Sequence, residues 1–263
     1  MDSVRSEDGT EIAFERTGEG PPLVMVGGAL SDRSAAAPLA ALLAPDLTVF
    51  AYDRRGRGDS GDTPPYAVER EVEDLEAVIG EAGGSASVLG HSSGAVLSLE
   101  AAARGAPVTK LALYEPPFIV DHGRPPTPED YLARLEDLLA AGERGAAVEY
   151  FLRVGPRVPE EALAGMRGSP AWPGLERLAH TLPYDVRILG DGTSGRPLPA
   201  GRWASVAVPT LVMVGGDSPP WQRTSARGLA EILPDARYRA LAGQTHAFEP
   251  AVLAPVLLGF LAG

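Results

Sequence analysis

The sequence has no cysteine, a single lysine, few aromatic residues and no long apolar run, and each shortage narrows the functions open to it. Without cysteine there are no disulfides, no thiolate nucleophile and no cysteine-ligated metal. The 23 basic residues, all arginine except Lys110, face 35 acidic ones, for a net charge of −12. That balance disfavours a nucleic-acid partner, and the densest basic cluster is only Arg54-Arg55-Gly56-Arg57. No apolar stretch approaches the roughly 18–20 residues needed to cross a bilayer, so no membrane partner is expected. The opening residues, Met1 to Asp8, are polar and acidic, not the start of a secretory signal, and a cytoplasmic location is expected. What is present is ordinary for a globular chain: 263 residues, 44% of them hydrophobic and 22% charged, enough to bury a large core.

Apolar patterning alternates between strand and helix. Ser3–Arg5 and Glu11–Arg16 flank an Asp8-Gly9 turn and predict a hairpin. Leu23–Val26, Leu47–Tyr52, Ala86–Leu89 and Lys110–Tyr114 read as strands buried on both faces, with helices predicted over Ala35–Leu43, Val68–Ile79 and Ala95–Arg104. From 116 to 203 no buried strand is evident. Helical segments appear there at Pro128–Ala141, Ala146–Arg153, Glu160–Gly165 and roughly Leu175–Leu182. Alternation resumes with Thr210–Val214, Trp221–Leu233, Tyr238–Leu241 and Ala251–Leu261. This order predicts an α/β fold: a mostly parallel, twisted sheet of about eight strands, helices on both faces, and a helical cap inserted after the sixth strand. The predicted division is 1–115 and 204–263 as core, with 116–203 as the cap.

One pentapeptide carries the chemistry. Gly90-His91-Ser92-Ser93-Gly94 follows a predicted strand and precedes a predicted helix, the setting in which G-x-S-x-G presents a nucleophile on a strained turn. A serine hydroxyl attacks only when an imidazole takes its proton, and that imidazole needs a carboxylate to orient it. His246, in the loop before the last helix, is the candidate base. Asp217, just past the Thr210–Val214 strand, is the candidate acid, and Glu115, just past Tyr114, is the alternative. For the oxyanion hole, the N–H of Ser93 fills one position. The Gly27-Gly28-Ala29-Leu30 loop supplies the other, from Ala29 with Leu30 as its neighbour. His91, Leu30 and Phe248 are candidate pocket residues. His122 and His180 fall in the predicted cap. Arg55 and Arg57 are expected to hold their own loop through carboxylates such as Asp53 or Asp59, with an anionic substrate as the alternative.

These motifs, with Asp53-Arg54-Arg55-Gly56-Arg57-Gly58-Asp59-Ser60 matching D-x-R-G-x-G-x-S, make the chain resemble the α/β-hydrolase superfamily over nearly its whole length. It is similar to the small cofactor-free members with a helical lid, which implies no cofactor, no metal and a small-molecule substrate. Members usually carry His-Gly where this chain has Gly27-Gly28. Some relatives place their acid after the sixth strand, which is the position of Glu115. The implied activity is hydrolysis of a small, fairly apolar ester, lactone or thioester through an acyl-enzyme. Alternatives on the same fold are C–C bond hydrolysis, cyclisation, acyl transfer, perhydrolase or haloperoxidase chemistry, and ligand reception with weak hydrolysis.

Overall fold

The computed structural model describes residues 2–262. Eight strands form one sheet: β1 (Asp2–Arg5), β2 (Glu11–Thr17), β3 (Pro22–Val26), β4 (Thr48–Tyr52), β5 (Ala86–His91), β6 (Val108–Tyr114), β7 (Thr210–Gly215) and β8 (Ala236–Leu241). Their spatial order is β1-β2-β4-β3-β5-β6-β7-β8. The β1–β2 and β2–β4 pairs are antiparallel and every other pair is parallel. The helices of the core are α1 (Ala37–Leu43), α2 (Val68–Glu81) and α3 (Ser93–Ala103). Between β6 and β7 come α4 (Tyr131–Ala140), α5 (Arg144–Val154), α6 (Glu160–Arg167), α7 (Trp172–Leu178) and α8 (Leu182–Leu189), and the chain closes with α9 (Pro220–Ile232) and α10 (Pro250–Ala262).

The period-two direction of strand side chains sorts the core into two layers. Val24, Val26, Val88, Leu111, Leu113, Val212 and Val214 point to one face and pack with Val72 and Leu75 of α2, Val96 of α3 and Leu229 of α9. Their neighbours Leu23, Met25, Leu89, Ala112, Leu211 and Met213 point to the other face, against Leu39 and Leu43 of α1 and Leu253 and Leu257 of α10. Each such buried aliphatic side chain contributes about 1.5–3 kcal/mol, which is why uninterrupted apolar runs identified these strands.

The segment between β6 and β7 has an apolar cluster of its own, built on Tyr131, Leu135, Val148, Leu152, Leu163, Trp172 and Leu182. Ala29 and Leu30, from the loop after β3, pack against that cluster and place the helical segment above the parallel-strand ends. One helix differs from expectation. The last predicted helix there, roughly Leu175–Leu182, is in fact α7 ending at Leu178, a 3-10 turn over Ala179–Thr181, and then α8. Pro183 occupies the first turn of α8, where its missing N–H has no helical partner to lose.

Candidate active site

Ser92 sits between β5 and α3 with φ 56° and ψ −124°, a conformation costly for a non-glycine residue. Its N–H donates to Tyr114 O at 2.9 Å, and the turn is tight because the two flanking glycines admit close neighbours. A Cβ on Gly90 would lie 2.5 Å from Ala95 Cα, and one on Gly94 would lie 2.3 Å from Val26 O. The strand can therefore turn straight into the helix only with glycine at both positions. Ser92 and His246 both line one cavity of about 1240 Å³, with Leu30, His91 and Phe248 in its wall as expected.

The acid contacting His246 is Glu115. Its Oε2 lies 2.7 Å from His246 Nδ1, and its side chain is fully buried while the imidazole is 47% exposed. Glu115 is the first residue after β6, has φ 51°, and donates its N–H to Met213 O of β7 at 2.9 Å. Its other oxygen, Oε1, accepts the Gly215 N–H at 2.7 Å and the Ser218 hydroxyl, and Oε2 also accepts the Gln222 amide. Four donors converging on one carboxyl group suit a carboxylate. The expected pairing of Asp217 with His246 does not form: no hydrogen bond joins their side chains among the described residues. Asp217 lies two residues beyond the end of β7, with an exposed side chain, and its N–H is tied to Gln244 O at 2.9 Å. Glu115 meets the ring because the loop after β8 folds back past β7 to the ends of β5 and β6, where His91 and the Tyr114 hydroxyl hold its backbone. Ser218 and Gln222 escaped sequence reading, since they carry no motif and matter only once Glu115 is in place.

Nδ1–H donated to Glu115 leaves the Nε2 lone pair of His246 free. The loop carrying this ring is held by its neighbours: the Tyr114 hydroxyl donates to Thr245 O at 2.6 Å, and His91 Nε2–H to His246 O at 3.1 Å. Burial, with the adjacent His246 second, pulls the His91 ring down to about 3, so it stays neutral near pH 7.

On the other side of Ser92 lies the glycine loop. A Cβ on Gly28 would stand 2.9 Å from Ser92 Cβ, so the loop backbone runs against the elbow. The N–H groups of Ala29 and Ser93 enter no hydrogen bond among the described residues, and Ser93 opens α3, where helix N–H groups lack internal partners. Where a histidine is usual, Gly27 leaves room for Ser31, whose hydroxyl donates to Gly28 O at 2.7 Å.

Beneath this loop lies a buried ionic cluster that sequence reading assigned to other partners. Asp53 and Asp59 pair with Arg33, and Arg55 pairs with Asp74 and Asp8. Arg57 reaches instead to Asp185 of α8, at 2.9 Å to both oxygens, and donates to Gly28 O. Arg54 joins Glu71, Asp185 at 2.8 Å and Gly27 O at 3.3 Å, and the Ser93 hydroxyl donates to Asp185 at 2.7 Å. Burial alone would raise the Asp185 pKa, but the Arg57 and Arg54 charges and the Ser93 hydrogen bond hold it below the usual aspartate value. One carboxylate from the helical segment thus braces both sides of the expected oxyanion hole.

The chain as a whole has counterparts among known proteins. A profile described as the alpha/beta hydrolase family matches residues 23–256. The chain belongs to that family. As an α/β hydrolase it is similar to a crystal structure of an alpha/beta hydrolase from Sphaerobacter thermophilus, with 58% identity over 99% of this chain and 100% of that one and a TM-score of 0.94. It is 27% identical, over 95% of its length and 94% of the relative's, to a candidate carbamate hydrolase, RutD, of Azorhizobium caulinodans. The enol-lactonase of Burkholderia xenovorans shares the fold, with a TM-score of 0.74, full coverage of both chains and 23% identity. This α/β hydrolase has no helix, among its described residues, long and apolar enough to cross a membrane, and no His/Cys/Asp/Glu group fit to hold a metal.

Proposed function

We propose that this hydrolase cleaves a small, fairly apolar ester, lactone or thioester through a Ser92-His246-Glu115 triad, with segment 116–203 as its cap. Ser92 Oγ attacks the carbonyl carbon as His246 Nε2 takes the hydroxyl proton, and Glu115 stabilises the imidazolium that results. The N–H groups of Ser93 and Ala29 stabilise the oxyanion. Collapse of the tetrahedral intermediate expels the leaving group, which takes the proton back from His246. Water, deprotonated by the same ring, then attacks the acyl-enzyme, releasing the acid and restoring Ser92.

The observation that carries this function is the 2.7 Å contact of His246 with a fully buried Glu115, at a cavity that also exposes the strained Ser92. The cavity wall is mainly apolar, with Leu30, Ile119, Leu152, Met166 and Phe248 among its residues, which favours an apolar acyl or leaving group. The decisive experiment is intact mass after fluorophosphonate treatment. Wild type is expected to gain one adduct and Ser92→Ala none. An unlabelled wild type, with a small p-nitrophenyl ester also left uncleaved, overturns the proposal.

A further inference from the structure

Arg124 is a buried cation in the wall of the cavity without a carboxylate to balance it. The residue is only 7% exposed, yet no ion pair among the described residues links it to any aspartate or glutamate. Its Nη2 donates to Gly155 O at 2.9 Å and Val154 O at 3.3 Å, its Nε has only a long contact to Pro125 O at 3.4 Å, and its Cζ lies 4.5 Å from the centroid of the Trp221 ring. Nη1 takes part in none of these bonds, and Arg124 lines the cavity together with Trp221. A second guanidinium, Arg157, lines the same cavity without an ion pair and is held at φ 58°. Burial, followed by the like charge of Arg157, pulls Arg124 down to about 10, which leaves it cationic at neutral pH.

The carboxylates in the same wall do not answer these charges. Asp185 is taken by Arg54 and Arg57, and Asp32 accepts the Ser34 N–H. Asp217 is exposed and makes no ion pair with either arginine. Two neighbouring cations, one of them desolvated, are costly unless something negative joins them. The Trp221 ring and the two carbonyls hold the guanidinium in place, and its forked donors match the two oxygens of a planar, singly charged carboxylate.

We infer that Arg124, aided by Arg157, binds an ionised carboxylate of the substrate, so that the preferred ester or lactone carries an acid group separated by an apolar stretch from the scissile carbonyl. This rests on the hydrolase function proposed above. Arg124 is a specificity-determining residue here, remote from the bond that breaks.

The test compares p-nitrophenyl monoesters of dicarboxylic acids, roughly four to eight carbons long, with the same esters methyl-capped at the far carboxylate. At the best-fitting length, kcat/KM should favour the free acid by at least about ten-fold, mainly through KM, and added salt should reduce the preference. Arg124→Met should bring that ratio close to unity, Arg124→Lys should keep part of it, and Arg157→Met should lower it less. A structural role alone would slow both esters alike and leave the ratio in place, which overturns the inference, as does a wild type preferring the capped ester at every length.

Calorimetry on Ser92→Ala with the free dicarboxylates separates this inference from the hydrolase function. Binding lost in Ser92→Ala/Arg124→Met supports the carboxylate site even if no ester is cleaved. Cleavage of the capped esters together with no dicarboxylate binding leaves the hydrolase standing and removes the site.

Discussion

At the scale of single residues, charge placement decides what each candidate does. Glu115 and Asp217 are both carboxylates just beyond strand ends, but only Glu115 is buried against His246. Glu115→Gln should therefore lower kcat by about 10⁴, as loss of tautomer control does in other triads, while Asp217→Asn stays within about twofold of wild type. Steady-state kinetics on one ester measures both, and the reverse result would return the acid role to Asp217. His91 yields a stability prediction. Its folded value, about 3, lies below the ordinary 6.5, so between those values the unfolded chain binds the extra proton. The contribution of neutral His91 is complete above about pH 6.5 and is lost as pH falls toward 3. Melting temperature followed across that window should fall with acid, and His91→Asn should flatten the slope.

At the scale of elements, the informative piece is α8. The predicted helices stopped at about Leu182, where α8 begins, yet α8 delivers Asp185 to Arg54, Arg57 and Ser93. Asp185→Asn leaves two buried guanidiniums short of a negative partner. The expected destabilisation is about 3–5 kcal/mol, the range for breaking a buried ion pair. Because the same arginines hold the Gly27 and Gly28 carbonyls, kcat should fall more than KM rises in whatever fraction remains folded. Thermal melts and kinetics at a temperature well below the melt check both parts, and an unchanged kcat would detach the cluster from the oxyanion loop. The elements of the core were legible because burial on both faces of a parallel sheet demands continuous apolar runs, which is why β3 to β7 were read within a few residues. The helical segment was read less well. Its helices are short pieces with brief joints, and their ends depend on what they pack against.

At the scale of the whole molecule, the cavity is a joint product of the sheet ends and the helical segment. Ser92 and His246 come from the core, and Leu152, Ala162 and Met166 from α5 and α6. Substrate length should therefore be set from the helical side. Ala162 is exposed and lines the cavity, so Ala162→Phe should leave the fold intact and shift preference toward shorter acyl chains. Each methylene excluded should reduce kcat/KM by about fourfold, the equivalent of its ~0.8 kcal/mol of burial. A p-nitrophenyl ester series measures this, and an unaltered chain-length profile would take α6 out of the substrate site.

Local rules in the sequence determined the strand–helix alternation, the elbow that carries Ser92, the histidine placed before the last helix and the loop that approaches the elbow. Each depends on residues within a few positions of one another, through apolar periodicity or the close approach only glycine allows. Which carboxylate meets His246, which acid answers Arg57 and which arginine lacks one were decided by tertiary structure alone. Glu115 is 131 positions from His246 and Asp185 is 128 from Arg57. Pairings over that separation depend on strand order and on how the helical segment sits over the sheet, so a carboxylate's place in the chain does not disclose the charge it will face.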